Sequence, residues 1–493
     1  MAGSAGGPLR VLFITPEAVP LAKTGGLADV TGALPRALNA LGCDVRVVLP
    51  YYRSVRQSGL DAAPLRSGVP VTLDRRALPA EVLQAEIEPR IPCYLIRRDE
   101  FFDRSHLYGI PEGDYFDNDL RFLYFCKAVF SLCKTLSFFP DVMHCHDWQA
   151  ALVPAYLRYT EGRGPSFART RSVLTIHNLA YQGVFPAETF SKTGLPGPFF
   201  SSEGMEFYGK SNFLKAGIVC ADTLTTVSPT YSREILTPEF GCGLEGVLAG
   251  RADELHGILN GADYDEWDPA RDVHLCRRYD AQDLDGKRAC KEDLIREMGL
   301  RAEAAGGPLF GMISRMTFQK GMDLVVAAAA GIMELGVHCV ILGDGEERYR
   351  ADCESLARRF PGRFAVRFGF DNPLAHRIQA GCDFLLMPSR YEPCGLNQIY
   401  AMRYGTVPVV RATGGLQDTV TEFAPPSGRG TGFLFHAHDP AAFLEAVARA
   451  VGVYGPQGSD WLRVRANGMA ERFSWERSAR GYLGLYERLR SSV

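Results

Sequence analysis

The sequence lacks the signatures of several large protein classes. It has no complete G-x-G-x-x-G fingerprint: Gly343-Asp344-Gly345 lacks the third glycine, and Glu346-Glu347 behind it would repel a pyrophosphate. A nicotinamide-dependent oxidoreductase would need that fingerprint with an acidic residue about twenty positions on, and neither half of the chain supplies it. Net charge is nearly absent. Lys+Arg number 54 against Asp+Glu 57, a balance of −3, which advertises neither nucleic acid nor an anionic membrane as a partner. Long apolar runs are missing too. The most apolar window, LVVAAAAGIMEL, is too short to span a bilayer and adjoins Asp323. The first apolar stretch, VLFITPEAVPLA, is broken by Pro16, Glu17 and Pro20, which fits a secretory signal poorly. The thirteen cysteines include no C-x-x-C pair, so neither a disulfide framework nor a zinc ribbon is indicated. A reduced, cytoplasmic, soluble chain is expected.

What is present is alternation. At 493 residues the chain is too long for one hydrophobic core, and its 46% hydrophobic and 23% charged residues are those of an ordinary globular protein. RVLFIT reads as a buried parallel strand, followed by the turn Lys23-Thr24-Gly25-Gly26, a helix over 29–41 and the strand VRVVLP, a βαβ unit. Further strands are expected at 92–98, 141–146, 171–178 and 222–228, with helices at about 118–137 and 149–159. The stretch around 260–290 is dense in turn formers and charge. Beyond it the pattern restarts with PLFGMIS, HCVILGDG, RFAVRFGF, DFLLMPS, TVPVVRAT and TGFLF, each pair separated by a helical segment. This predicts two successive doubly wound α/β domains with a boundary near residue 255.

In open α/β sheets ligands sit beyond the carboxyl ends of strands, so the residues after each strand are the candidates. Gly25 and Gly26 precede a helix, where backbone N–H groups and the helix dipole favour an anion, and Lys23 adds a point charge. A plain strand–helix turn with an exposed lysine is the alternative. At the end of 141–146, period two places His144 and His146 on one face, and with Asp147 they could ligate a metal, although no third fixed ligand is identifiable. Asp147-Trp148 is better explained as a carbohydrate contact, carboxylate to hydroxyls and aromatic face to a sugar ring. A satisfied buried cluster is the alternative, for His144 in particular. His177 and Asn178 close the next strand, where a histidine taken alone reads first as a core or capping residue. Asp263-Tyr264-Asp265 has D-x-D form but lies in a turn-rich connector and reads as a solvated loop.

The second half is more specific. Arg315 ends a strand and Lys320 opens a helix, two cations suited to a diphosphate and able to stand in for a metal. Glu392 lies on a proline-bounded loop before Cys394, Gly395 and Leu396, where a carboxylate can bind sugar hydroxyls beside helix N–H groups. Thr413-Gly414-Gly415 repeats the strand–glycine–helix design. A helix N-terminus lowers a thiol pKa, but Cys394 reads first as a packing cysteine.

At these residues the chain resembles the bacterial glycogen synthases and plant starch synthases, retaining glucosyltransferases that use ADP-glucose. The matching stretches are PEAVPLAKTGGLADV, HCHDWQA, TIHNLAYQG, TTVSPTY, LNGADYDEWDP, SRMTFQKGMDL, PSRYEPCGLNQIYAMRYGTVPVVRATGGLQDTV and FSWERSA, in family order over about residues 9–480. The resemblance implies a GT-B architecture: α/β, two Rossmann-like doubly wound domains facing across a deep cleft. Residues 1–255 would form the glucan-acceptor side and 256–473 the nucleotide-sugar side, with 474–493 a helix returning to the first domain. It implies that Lys23, Gly25 and Gly26 contact donor phosphate, with Asp29 nearby. Asp147 and His177 would bind the transferred glucose beside Asn178. Arg315 and Lys320 would hold the diphosphate, Glu392 the glucose hydroxyls, and Cys394, Gly395, Leu396, Thr413 and Gly415 would line the same pocket. The implied partners are ADP-glucose and glycogen or another α-1,4-glucan, with no nucleic acid, membrane, metal or cofactor. A catalytically silent glucan-binding protein should have lost charges from this set, and Lys23, Arg315, Lys320 and Glu392 are all present.

Overall fold

The structure, a computed structural model, describes residues 7–65, 68–88, 90–110, 112–455 and 458–491. The chain divides into two compact units. One comprises Met1–Val227, Ser232–Gly261 and Trp475–Val493, and the other Ser228–Tyr231 and Ala262–Ser474.

The first unit is built on a nine-stranded sheet. Seven parallel strands run in the order Leu255–Gly257, Thr223–Thr226, Arg171–Ile176, Val142–His146, Arg10–Ile14, Asp44–Pro50 and Ile91–Arg97. The central three, Val142–His146, Arg10–Ile14 and Asp44–Pro50, are almost wholly buried, which is why they read as mainly apolar runs. Glu81–Glu88 and Ala63–Pro64 extend the sheet antiparallel. These antiparallel strands were not expected from the sequence; within Glu81–Glu88, residues 83–86 alternate buried and exposed, as in a half-covered strand. The strand Leu255–Gly257 belongs to this sheet, so the unit runs on to Gly261 rather than ending near 255. The helix expected from residue 29 begins at Gly26, with extended Gly25 as its N-cap, so Asp29 falls in the first turn, where the helix dipole favours its charge. The helix expected over 149–159 is two helices, Asp147–Ala150 and Leu152–Tyr159.

The last helix, Trp475–Ser491, buries Trp475, Ser478, Ala479, Tyr482, Leu485 and Tyr486, a stripe at helical spacing. It packs along the helix Gly26–Ala40, and its Ser478 hydroxyl donates to the Leu259 carbonyl at 2.6 Å.

The second unit holds a six-stranded, all-parallel sheet ordered Phe364–Phe368, His338–Gly343, Leu309–Ile313, Phe384–Met387, Val407–Arg411 and Phe433–Phe435. In chain order this is 3-2-1-4-5-6, the doubly wound arrangement, and the first six parallel strands of the first unit follow it too. Each sheet therefore has one switch point, where successive connections leave for opposite sides. It lies between Arg10–Ile14 and Val142–His146 in one unit and between Leu309–Ile313 and Phe384–Met387 in the other.

Candidate functional site

The loops at the first switch point carry Lys23, Gly25, Gly26 and Asp147. Lys23 Nζ lies 2.7 Å from Asp29 Oδ1 at the surface. Neither Gly25 nor Gly26 is demanded by packing or backbone shape: Gly25 is extended, with φ −161, and a Cβ on either would meet open space. What these glycines keep open is the approach to the helix N-terminus.

The loop is held from below by Glu17, a residue the sequence showed only as a break in an apolar stretch. Its buried carboxylate accepts from Thr24 N and Thr24 Oγ1, both at 2.6 Å, and from Tyr108 Oη at 2.6 Å. Burial, with the charge of Glu17, pushes the Tyr108 phenol well above its usual range. No spacing rule pointed to either residue, because Tyr108 lies 91 positions from Glu17.

Asp147 turns the chain out of strand Val142–His146 with φ +55, a left-handed conformation that aspartate tolerates better than most residues. Its Oδ1 accepts from the His177 backbone N–H at 2.7 Å, tying together the ends of two paired strands. Asn178 Oδ1 accepts from Ala180 N at 3.1 Å and shapes the following turn. His177 Nε2 is 2.9 Å from His146 Nδ1, one ring donating and the other accepting. Burial drives His177 down to about 3 and His146 well below the usual range, so both rings are neutral at pH 7. His144 shares the face of His146 as period two requires, but both its ring nitrogens are engaged, by Thr175 Oγ1 at 2.6 Å and Tyr486 Oη at 2.7 Å. It is a satisfied core residue that fastens the C-terminal helix.

Burial raises the Asp147 carboxyl to about 8, helped by the Glu17 charge and opposed by N–H bonds from His177 and Asn178. Between about 4 and about 8 the folded chain therefore keeps a proton that the unfolded chain gives up. This contribution to stability is greatest below the unfolded pKa and is lost as pH rises through that window. Urea midpoints of the wild type should fall relative to Asp147→Asn from pH 5 to 8 and run parallel above; midpoints parallel throughout would contradict the assignment.

At the second switch point, the loop after Ile313 carries Arg315 and Lys320, and the loop after Met387 carries Glu392. Lys320 Nζ is 2.6 Å from Glu392 Oε2, and the Ser389 hydroxyl donates to the same oxygen at 2.9 Å. Glu392 is only 4% exposed, so its charge rests on these partners. Arg315 is exposed, with Nη2 3.2 Å from Gln319 Oε1. The two loops are pinned at Gly321, which has φ +73 and whose added Cβ would overlap the Pro388 carbonyl.

Gly343-Asp344-Gly345 now has an explanation. Met316 N donates to Asp344 O at 2.7 Å and Phe318 N to Glu346 Oε1 at 3.1 Å, while a Cβ on Gly343 would overlap the Ser314 carbonyl. These glycines let the Arg315 loop lie against the backbone; they are not a fragment of a dinucleotide fingerprint.

Cys394 is buried, as a packing cysteine should be. Gly395, with φ +71, and Leu396 are half-buried at the start of the helix Asn397–Arg403. Thr413 is buried at the N-cap of the helix Gly414–Thr419. The Gly415 N–H donates to the Glu392 carbonyl at 3.1 Å and the Pro393 carbonyl at 3.2 Å, so it is already engaged within the protein.

Two readings of the sequence are corrected. Trp148 is not a platform for a sugar ring: it is 8% exposed, sits edge-on to Phe122 at 4.9 Å, and packs so closely on Gly183 that a Cβ there would overlap the indole. The first unit likewise extends to Gly261, past the expected boundary near 255. In the D-x-D segment, Asp263 Oδ1 accepts from Asp265 N at 2.9 Å, and Asp265 pairs at the surface with Arg271 at 3.0 Å, a solvated turn.

Comparison with known proteins follows the same two-part division. The family model for the starch synthase catalytic domain matches residues 10–250, and that for glycosyl transferases group 1 matches residues 300–452. Together with the two doubly wound sheets, these define a glucosyltransferase of the GT-B fold class. Glycogen synthase 2 of Geobacter sulfurreducens is 48% identical over 478 residues, covering 97% of this chain and 98% of the relative. Glycogen synthase of Anaeromyxobacter sp. (strain Fw109-5) is 48% identical over 482 residues, covering 98% and 99%. The catalytic domain of starch synthase IV from Arabidopsis thaliana, solved bound to ADP and acarbose, superposes with TM-score 0.90 at 33% identity, covering 99% of this chain and all of that one. The chain belongs to the glycogen and starch synthase family.

Proposed function

We propose that the protein transfers an α-glucosyl group from ADP-glucose to the non-reducing 4-OH of glycogen or another α-1,4-glucan, with retention and release of ADP. The observation that carries this reading is the Arg315, Lys320 and Glu392 cluster at the switch point of the second sheet. Lys320 stands there against a buried carboxylate on a helix-leading loop, and Arg315 is exposed on the same loop as Lys320. The ADP in the starch synthase IV structure supports adenine in the donor, and the relatives' name supports glycogen as acceptor.

Each cluster takes a part of the same donor in this reading. As the C1–O bond breaks, negative charge grows on the diphosphate, the group that Arg315, Lys320, Lys23 and the Gly25-Gly26 N–H groups are suited to meet. Positive charge grows on the sugar, beside the oxygens of Asp147 and of the His177 segment. The second unit is the nucleotide-sugar side and the first the glucan side. Glu392, Cys394, Gly395 and Leu396 face the glucose, with Thr413 and Gly415 supporting that loop. Asp29 steers Lys23, and Asn178 holds the turn after His177.

Glu392 acts on glucose hydroxyls and not as the nucleophile. One of its oxygens already accepts from an ammonium and a hydroxyl, which draws electron density from it. A trapped glycosyl–Glu392 adduct would overturn that preference.

The direct test is transfer of labelled glucose onto glycogen from ADP-glucose and from UDP-glucose, with and without EDTA. Transfer from ADP-glucose, faster than from UDP-glucose and indifferent to EDTA, is expected. Incorporation from neither donor would overturn the assignment. Glu17→Ala removes the anchor of the Lys23 loop, whose hydrogen bonds to a charged acceptor are worth about 1.5–3 kcal/mol each. Donor KM should rise at least about tenfold, with Thr24 no longer fixed, and an unchanged KM would sever Glu17 from the site.

A further inference from the structure

Of the thirteen cysteines only Cys242 and Cys276 are exposed. Cys276 has a thiol beside it: its Sγ lies 3.9 Å from Sγ of buried Cys290, fourteen residues on. Both ends of this segment are anchored in the second unit. Cys290 stands on the helix Asp285–Glu297, which is fixed by Lys287 Nζ to the Ala380 carbonyl at 2.9 Å and by Lys291 Nζ to Asp383 Oδ2 at 2.7 Å. The chain around Cys276 is fixed by Asp272, which accepts from His376 Nδ1 at 2.7 Å and from Tyr404 Oη, and by Tyr279 Oη donating to the Tyr404 carbonyl at 2.8 Å. Gly286 leaves no room for a Cβ beneath the Arg278 carbonyl, so the intervening turn is closely packed as well. Two thiols are thus held face to face, one at the surface and one beneath it.

We propose that Cys276 and Cys290 form a redox-active pair that a small-molecule disulfide converts to an intramolecular disulfide. Cys276 loses its proton to solvent, and its thiolate attacks one sulfur of the reagent, forming a mixed disulfide and expelling one reagent thiolate. Cys290 then loses its proton and attacks the Cys276 sulfur, forming the Cys276–Cys290 bond and expelling the second thiolate. The protein loses two electrons and two protons, and the reagent gains both as two thiols. A disulfide requires the sulfurs to close to about 2.05 Å, a movement within reach of side-chain rotation at the exposed Cys276. Burial raises the Cys290 thiol to about 12, so the second step is the slower and quickens with pH. Neither cysteine lies in the loops at the switch point, so this is a modification site apart from the donor cluster.

The experiment exposes the full-length protein to oxidised glutathione under native conditions, followed by an acid quench and unreduced tryptic mapping. The wild type should yield the peptide DVHLCR, residues 272–277, joined to ACK, residues 289–291, and dithiothreitol should separate them. Cys290→Ser should stop at a glutathione adduct on Cys276, and Cys276→Ser should leave Cys290 unmodified. An adduct on Cys242, the other exposed thiol, shows that the reagent has acted. Wild-type protein that carries that adduct yet accumulates only Cys276–glutathione, or joins neither peptide, would overturn the proposal.

Discussion

Lys320→Ala should lower kcat by roughly 10²–10³, the loss seen when one preorganised charge facing a developing anion is removed. The ammonium lies 2.6 Å from a carboxylate that is otherwise buried, so the lysine is aimed by Glu392 before any substrate arrives. A charge fixed in advance costs no reorganisation when the leaving diphosphate develops its own, which is why this residue should affect the chemical step more than binding. kcat and kcat/KM should therefore fall together, and a change confined to KM would indicate ground-state binding instead. Losing the lysine also strands Glu392. Two variants separate the effects: if Lys320 only positions Glu392, then Glu392→Gln alone should reproduce the loss and the double variant should be no worse. If the ammonium acts on the diphosphate itself, Lys320→Ala should be the more damaging of the two single changes.

Gly321→Ala should have a comparable effect on activity, through geometry and not through charge. The residue has φ +73, where an L-residue costs roughly 1–2 kcal/mol, before the overlap with the Pro388 carbonyl is counted. That carbonyl is backbone, so no rotamer change relieves the contact, and the Lys320 loop must separate from the Glu392 loop. Tm should fall by at least about 3 °C, with kcat reduced to near the Lys320→Ala level. Wild-type kcat in this variant would show that the close approach of the two loops is dispensable.

Much of the frame was legible because parallel strands buried on both faces write themselves as apolar runs, and charges placed just after such runs stand out. Lys23, Asp147, Arg315, Lys320 and Glu392 stand out that way, and each lies beyond the carboxyl end of a strand. Glu17 was not found, because it follows a strand just as they do yet sits inside an apolar stretch, and its work is done through Thr24 and Tyr108, one near and one far in sequence. Trp148 was misread for a different reason. Position at a strand end cannot tell which face of an aromatic ring is covered, and here Gly183 and Phe122 cover it. The glycines at 343 and 345 were seen but could not be explained from the chain alone, since their constraint is a carbonyl some thirty residues away. The strand Glu81–Glu88, one in from the sheet edge, alternates clearly only over residues 83–86, too short a pattern to stand out beside the buried runs.

The central proposal is that Lys23 and Lys320 each bind the donor diphosphate. Calorimetric titration of ADP into the wild type, Lys23→Ala and Lys320→Ala tests it most directly. A charge-assisted contact is worth about 1.5–3 kcal/mol, so each variant should raise the Kd at least about tenfold. A Kd weakened in Lys320→Ala but unchanged in Lys23→Ala would contradict the account.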